Sequence, residues 1–209
     1  MPVLATLGAG VAIGTVGALA AKVDNPMFQV LSLIFSGGWS WACFAFLVGY
    51  FRPSKSEAAW LAPSALAVGV VVYYLLKAWS PVAPIGMADS GEPIEGNVSS
   101  GLLFWVIAAF LFGAPLGLFG NLARTPGIAG LPLRLLVPLI AHFETSERLK
   151  VEAASAGPAA EATWSTIRVL AVLAAVALVG HTAWRWRRRD NSLKAGADSD
   201  SGEAGGDRF

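Results

Sequence analysis

Apolar residues gather along this chain in long blocks, not in the short alternations of soluble strands or the one-sided stripes of surface helices. Five blocks stand out, at 3–22, 27–51, 58–79, 101–122 and 164–184. Each is close to or above the ~20 helical residues needed to cross a bilayer's hydrocarbon layer. A sixth, 131–143, reads LPLRLLVPLIAHF; it is shorter and carries Pro132, Arg134 and Pro138. Proline removes a helical hydrogen bond, so this block predicts a kinked span or a re-entrant segment packed against protein. The pattern as a whole predicts an all-α fold, a helical transmembrane bundle of six spans.

Charge sets the orientation. The basic cluster WRWRRRD, residues 184–190, follows the last block, and basic residues favour the cytoplasmic side. Six spans place both termini there and bring Arg52, Lys55 and Arg124 to the same side. Five spans would set those three opposite the C-terminal arginines. With six, Asp24, Asp89, Glu92, Glu95, Glu144, Glu147, Glu152 and Glu161 all fall outside, and Glu57 is the main inside exception. The first block starts within a few residues of Met1 without a basic leader, which predicts a retained helix and not a cleaved signal peptide. The chain divides into a transmembrane domain, 1–186, and a basic-then-acidic tail, 187–209. Gly, Ser, Ala and Asp dominate that tail from Asn191 onward, which predicts disorder.

Composition narrows the function. Of 209 residues, 55% are hydrophobic and 14% charged, and the net charge of +1 gives no field for nucleic acid. Cys43 is the single cysteine and lies inside a block, which excludes disulfides and cysteine-based metal sites. Arginine outnumbers lysine ten to five and alanine is abundant, as in GC-rich bacterial genes. The predicted location is therefore a bacterial plasma membrane. Gly8, Gly10, Gly14 and Gly17 suit close helix contact, and GAPLGLFG at 113–120 reads as further packing around a proline. No phosphate loop, zinc motif or nucleophile elbow appears, and no cofactor or metal is predicted.

Candidate chemistry centres on FSGGWSWACF, residues 35–44, which sets two glycines, two serines and two tryptophans inside a membrane-length block. Glycine loosens a helix, and tryptophan normally anchors at headgroup level. By depth, Trp39 and Trp41 fall near mid-membrane, with Tyr73, Tyr74, Phe104 and Trp105 in the outer half. These predict an aromatic-walled cavity in the outer leaflet, with Trp39, Trp41, Tyr73, Trp105 and His142 as substrate-binding candidates. Neighbours on a helix diverge by about 100°, so one of Tyr73 and Tyr74 is expected to face it. The same geometry, about 200° of divergence, predicts one of Trp39 and Trp41. At its rim the segment AHFETSERLK places Glu144 four residues before Arg148 and three before Glu147. Two carboxylates on one helical face split their proton affinities, as a general acid requires. Glu144 and Glu147 are the catalytic candidates, with Asp24 or Glu95 tuning them. The alternatives are a salt-bridged helix end and, more weakly, a metal site built from His142 and the glutamates. The loop MADSGEPIEGNVSS, residues 87–100, is a solvated linker or a lid.

WSWACFAFLVGYF, YYLLK, FWVIAAFLFGAPLGLFG and the glutamate-bearing segment after the 131–143 block occur in an order that resembles an uncharacterised family of small bacterial multi-pass membrane proteins. That resemblance covers about residues 25–148 and implies no activity. In size, helix count and aromatic content the chain is also similar to the small integral-membrane terpene cyclases of bacterial natural-product pathways. This implies an isomerase- or lyase-type intramembrane enzyme acting on a lipophilic isoprenoid, in which an acid starts carbocation chemistry inside an aromatic cavity. A transporter or membrane-embedded binding subunit for an organic cation uses the same aromatics, and a structural role uses them only for packing. The expected partners are the bilayer and a lipophilic small molecule.

Overall fold

The computed structural model describes residues 3–23, 25–79 and 98–203. Its helices are α1 (Val3–Ala20), α2 (Pro26–Ser36), α3 (Gly38–Tyr50), α4 (Lys55–Trp79), α5 (Val98–Leu122), α6 (Leu131–Val151), α7 (Ala153–Ala156) and α8 (Pro158–Glu203), and no strand forms among the described residues. α1, α4, α5, α6 and α8 are each long and apolar enough to cross a membrane, and α2 with α3 make a sixth candidate bent by 69°. The protein is a multi-pass helical membrane bundle.

Three predicted boundaries change. The second block is two helices of 11 and 13 residues, about 17 and 20 Å at 1.5 Å per residue, neither long enough alone to span. Asn25 starts α2 by accepting a hydrogen bond from the Met27 amide at 2.9 Å, with Pro26 in the first turn, where no amide hydrogen is needed. The 131–143 block is not short. α6 runs 21 residues to Val151, because Pro132 lies in its first turn and the helix continues through Pro138. The last helix passes residue 186 and continues to Glu203; extending a formed helix fixes one residue per new hydrogen bond, so it outlasts the apolar sequence. Only its Pro158–Arg188 part has the hydropathy of a span.

The helices form two groups. α4 and α5 make the most extensive contact, with α1 on one side of α4 and α3 against α5. Their shared core is Phe44, Ala45 and Val48 of α3, Ala62, Ala65 and Leu66 of α4, and Ala109 of α5. Small residues bring these helices together: a Cβ on Gly14 would overlap the Gly69 carbonyl, and one on Gly49 the Gly117 carbonyl. α6 packs mainly on α8, and much less on α3 and α5. Leu33 of α2 joins Ala160 and Trp164 of α8 in a second cluster, with Leu149 of α6 beside it. α2 thus bridges the two groups, packing on α1 as well as on α8, while α3 belongs to the main group.

One end of the bundle is tied by Arg52. Its guanidinium donates to Thr6 Oγ1, and its carbonyl accepts from Asn121 Nδ2 and, at 2.7 Å, from Arg124 Nη1. Arg134 reaches the Ala123 and Thr125 carbonyls at 2.8 and 2.9 Å. This end gathers the basic residues that the charge pattern puts in the cytoplasm.

Candidate functional site

Between the α3–α4–α5 group and α6 lies a chamber of about 580 Å³, within the roughly 300–1,000 Å³ of small-molecule sites. α4 contributes Leu66, Val70, Tyr73, Tyr74 and Lys77, which recur at helical spacing and make one continuous stripe. α5 contributes a second stripe that includes Trp105, Phe112, Leu116 and Phe119. That stripe covers about 20 Å of helix at ~1.5 Å per residue, so the chamber extends beyond a single leaflet of a ~30 Å core. Leu136 and Ile140 of α6 close the opposite side. Trp105 is 50% and Phe112 62% exposed while also lining the chamber. α5 and α6, which both line it, are in sparse contact with each other.

Trp41 is the best anchored of the rings. It meets Tyr73 edge to face at 6.3 Å, and its indole Nε1 donates to the Phe35 carbonyl at 2.9 Å. That bond belongs to a larger arrangement at the α2–α3 elbow. A helix end leaves carbonyls or amides without partners, and at membrane depth water cannot supply them. Here each is met. Ser36 Oγ donates to Leu33 O, the Gly37 amide to Ile34 O, Trp41 to Phe35 O, Arg148 Nη2 to Ser36 O, and Ser40 Oγ to Gly37 O. On the other side of the break, Glu144 Oε1 accepts from the Gly38 amide at 2.8 Å and Oε2 from the Trp39 amide at 2.7 Å. Glu144 and Arg148 also pair with each other at 3.1 Å. One turn of α6 thus supplies an acceptor to the start of α3 and a donor to the end of α2. This explains the composition of residues 35–44: two serines, two glycines and a tryptophan finish one helix and begin another inside a membrane-length segment.

The predicted site residues separate. Trp41, Tyr73 and Trp105 line the chamber. Trp39 does not; its indole folds over Gly37, where a Cβ would lie 2.7 Å from Nε1. Tyr73 and Tyr74 both line it, because a chamber this broad faces more than one stripe of α4. Glu144 stands behind the wall, its Oε2 3.3 Å from where a Cβ on Gly38 would sit. Glu147 is paired with Lys150 at 2.8 Å and does not line the chamber. His142 is outside the lining. It falls on the α6 face of Thr145 and Leu149, the latter packed toward α8, and its Nδ1 is buried without a hydrogen-bond partner among the described residues. Among the described residues no three of His, Cys, Asp and Glu converge to hold a metal ion. Asp24, Asp89, Glu92 and Glu95 lie outside the described residues.

Sequence reasoning missed Phe35, Lys77, Phe112 and Phe119. The signal was present for the last two, since Trp105, Phe112 and Phe119 repeat every seven residues on one face of α5. Lys77 follows Tyr73 by four residues and so shares its face. Searches among protein-family models, curated proteins and solved structures find no match to this chain.

Proposed function

We propose that this protein draws a lipophilic chain out of the bilayer and holds it in the aromatic chamber between α5 and α6. The carrying observation is a chamber of about 580 Å³ walled by Trp41, Tyr73, Tyr74, Trp105 and Phe112 and flanked by a sparse α5–α6 contact. Because the bilayer interior is already dry, the affinity comes from close packing of the chain against these rings and not from its removal from water. An isoprenoid suits the walls, because aromatic faces follow its branched outline and stabilise positive charge developing on it.

Acid-initiated cyclisation of such a chain extends this proposal by one requirement, a proton donor. The described lining carries the O–H or N–H groups of Ser36, Trp41, Tyr73, Tyr74 and Lys77, and no carboxylate. Binding is therefore the better supported part of the proposal. An organic-cation carrier is less well supported, because Lys77 sets a positive charge in the same wall.

The test is native mass spectrometry with lipid extraction of protein purified in mild detergent, comparing wild type with Tyr73→Ala. A lipophile retained by wild type and depleted in the variant supports the proposal. Protein that emerges empty from membranes rich in isoprenoids overturns it. A cyclised product accompanying the wild type would add catalysis.

A further inference from the structure

Lys77 is the one charged side chain among the described residues that line the chamber. It projects from the last turn of α4, with Nζ 6.0 Å from the centre of the Tyr73 ring. Lys22, just after α1, holds the same turn, its Nζ donating to the Leu76 carbonyl at 2.8 Å. The described carboxylates of α6 and its C-terminal cap are already matched: Glu144 and Glu152 with Arg148, Glu147 with Lys150. Lys77 has no ion pair among the described residues. Lys77 is exposed at the rim, so its ammonium can hold an anion at the mouth of the chamber while the apolar walls take the rest of the ligand. We infer that the ligand is an amphiphile whose anionic head, a phosphate or carboxylate, sits on Lys77 while its chain lies along Trp41, Tyr73 and the α5 stripe.

This inference rests on the chamber being a lipophile site and adds the chemistry of the head. It also gives the ligand a direction, head at the Lys77 end and tail toward Phe119.

The full chain in phosphatidylcholine nanodiscs tests it, using radiolabelled farnesyl phosphate and farnesol as probes on wild type, Lys77→Gln and Lys77→Arg. Wild type should hold the phosphate about ten-fold or more tighter than the alcohol, the span of one charge-assisted hydrogen bond. Lys77→Gln should lose that preference with farnesol binding unchanged, and Lys77→Arg should retain it. Phosphatidylglycerol added to the discs identifies the source of the head: equal competition assigns it to a bilayer lipid, and no competition to a free prenyl-type phosphate. Both results support an anionic head. Equal affinity of wild type for the two probes, or a preference that survives Lys77→Gln, overturns the inference but leaves the chamber proposal standing. Failure of wild type to hold either probe overturns both.

Discussion

Glu144 on α6 accepts a hydrogen bond at 2.7 Å from the backbone amide of Trp39 on α3, 105 residues earlier in the chain. Its other oxygen does the same for Gly38 at 2.8 Å. The carboxylate thus serves as the cap that Gly37, with no side chain, cannot provide for α3. A negative group at a helix start also complements the partial positive charge there, worth up to ~2 kcal/mol when partly buried. Arg148, one turn later, completes the other half at the Ser36 carbonyl, 3.2 Å away. The elbow is therefore made by α6 as much as by its own glycines.

Replacing Glu144 tests that relationship. Glu144→Ala leaves two amides unpaired at the elbow, one exposed and one part-buried, and should cost about 1–3 kcal/mol, the range for one unmet buried group. Glu144→Gln keeps one acceptor and should cost less than half as much. Glu147→Gln should be nearly neutral, because the Glu147–Lys150 pair is 47% and 68% exposed and surface pairs contribute at most ~1 kcal/mol. Hydrogen exchange read at Gly38 and Trp39 is the direct measurement. Amides that exchange as slowly in Glu144→Ala as in wild type would remove the capping role.

Trp41→Phe separates the ring from its N–H group. Phenylalanine preserves an aromatic face toward Tyr73 but leaves the Phe35 carbonyl without its donor. A loss of about 1–2 kcal/mol in detergent unfolding is expected from one orphaned buried acceptor. Lipophile retention should fall much less than in Trp41→Ala, which removes the wall itself. Equal loss of retention in the two variants would mean that the hydrogen bond, and not the ring, matters to the chamber.

The glycines differ in what surrounds them. A side chain at Gly49 would collide with the Gly117 backbone carbonyl, which α5 cannot move without leaving α3. Gly49→Val should therefore cost more than ~3 kcal/mol or prevent assembly, as backbone collisions in a packed core do. Gly8 has nothing within 4 Å of its added Cβ. Gly8→Ala should be neutral or stabilising by up to ~1 kcal/mol, the helix preference of alanine over glycine. Thermal unfolding of the purified variants checks both, and a mild Gly49→Val would mean the α3–α5 contact is looser than described.

The fold was largely legible because membrane spans declare themselves by length and apolarity, and the Phe35–Phe44 stretch announced its break through Gly37, Gly38 and the polar residues around them. The Glu144–Arg148 pairing was legible for the same local reason, four residues on one helix. Its second role was not. Nothing in local periodicity says that α6 stands beside the elbow, so the amides of Gly38 and Trp39 were invisible as partners of Glu144. The same gap hid the end of α6. Charges from Glu144 onward read as a salt-bridged helix end, yet they are matched with the elbow as well as with one another, and the helix continues to Val151. Depth alone placed Trp39 with Trp41 and His142 with the glutamates. Which way each points depends on neighbours that only the assembled bundle supplies.

Chamber volume is the last property that can be tested without knowing the ligand. Ala108 lines the chamber from α5 and is only half-buried, so a larger side chain there extends into open space and not into packed neighbours. Overpacking costs ~1–3 kcal/mol where a core is already full, but Ala108→Phe fills a void and should leave thermal stability unchanged or slightly raised. Ala65 of α4 is 0% exposed in the α3–α4–α5 core and does not line the chamber, and Ala65→Phe should destabilise by that same ~1–3 kcal/mol or more. The pair therefore separates volume from stability. Lipid extraction of Ala108→Phe should recover markedly less bound lipophile than wild type, from protein of equal yield and melting temperature. If Ala108→Phe keeps a full complement of lipophile while folding normally, the bound molecule lies elsewhere on the bundle.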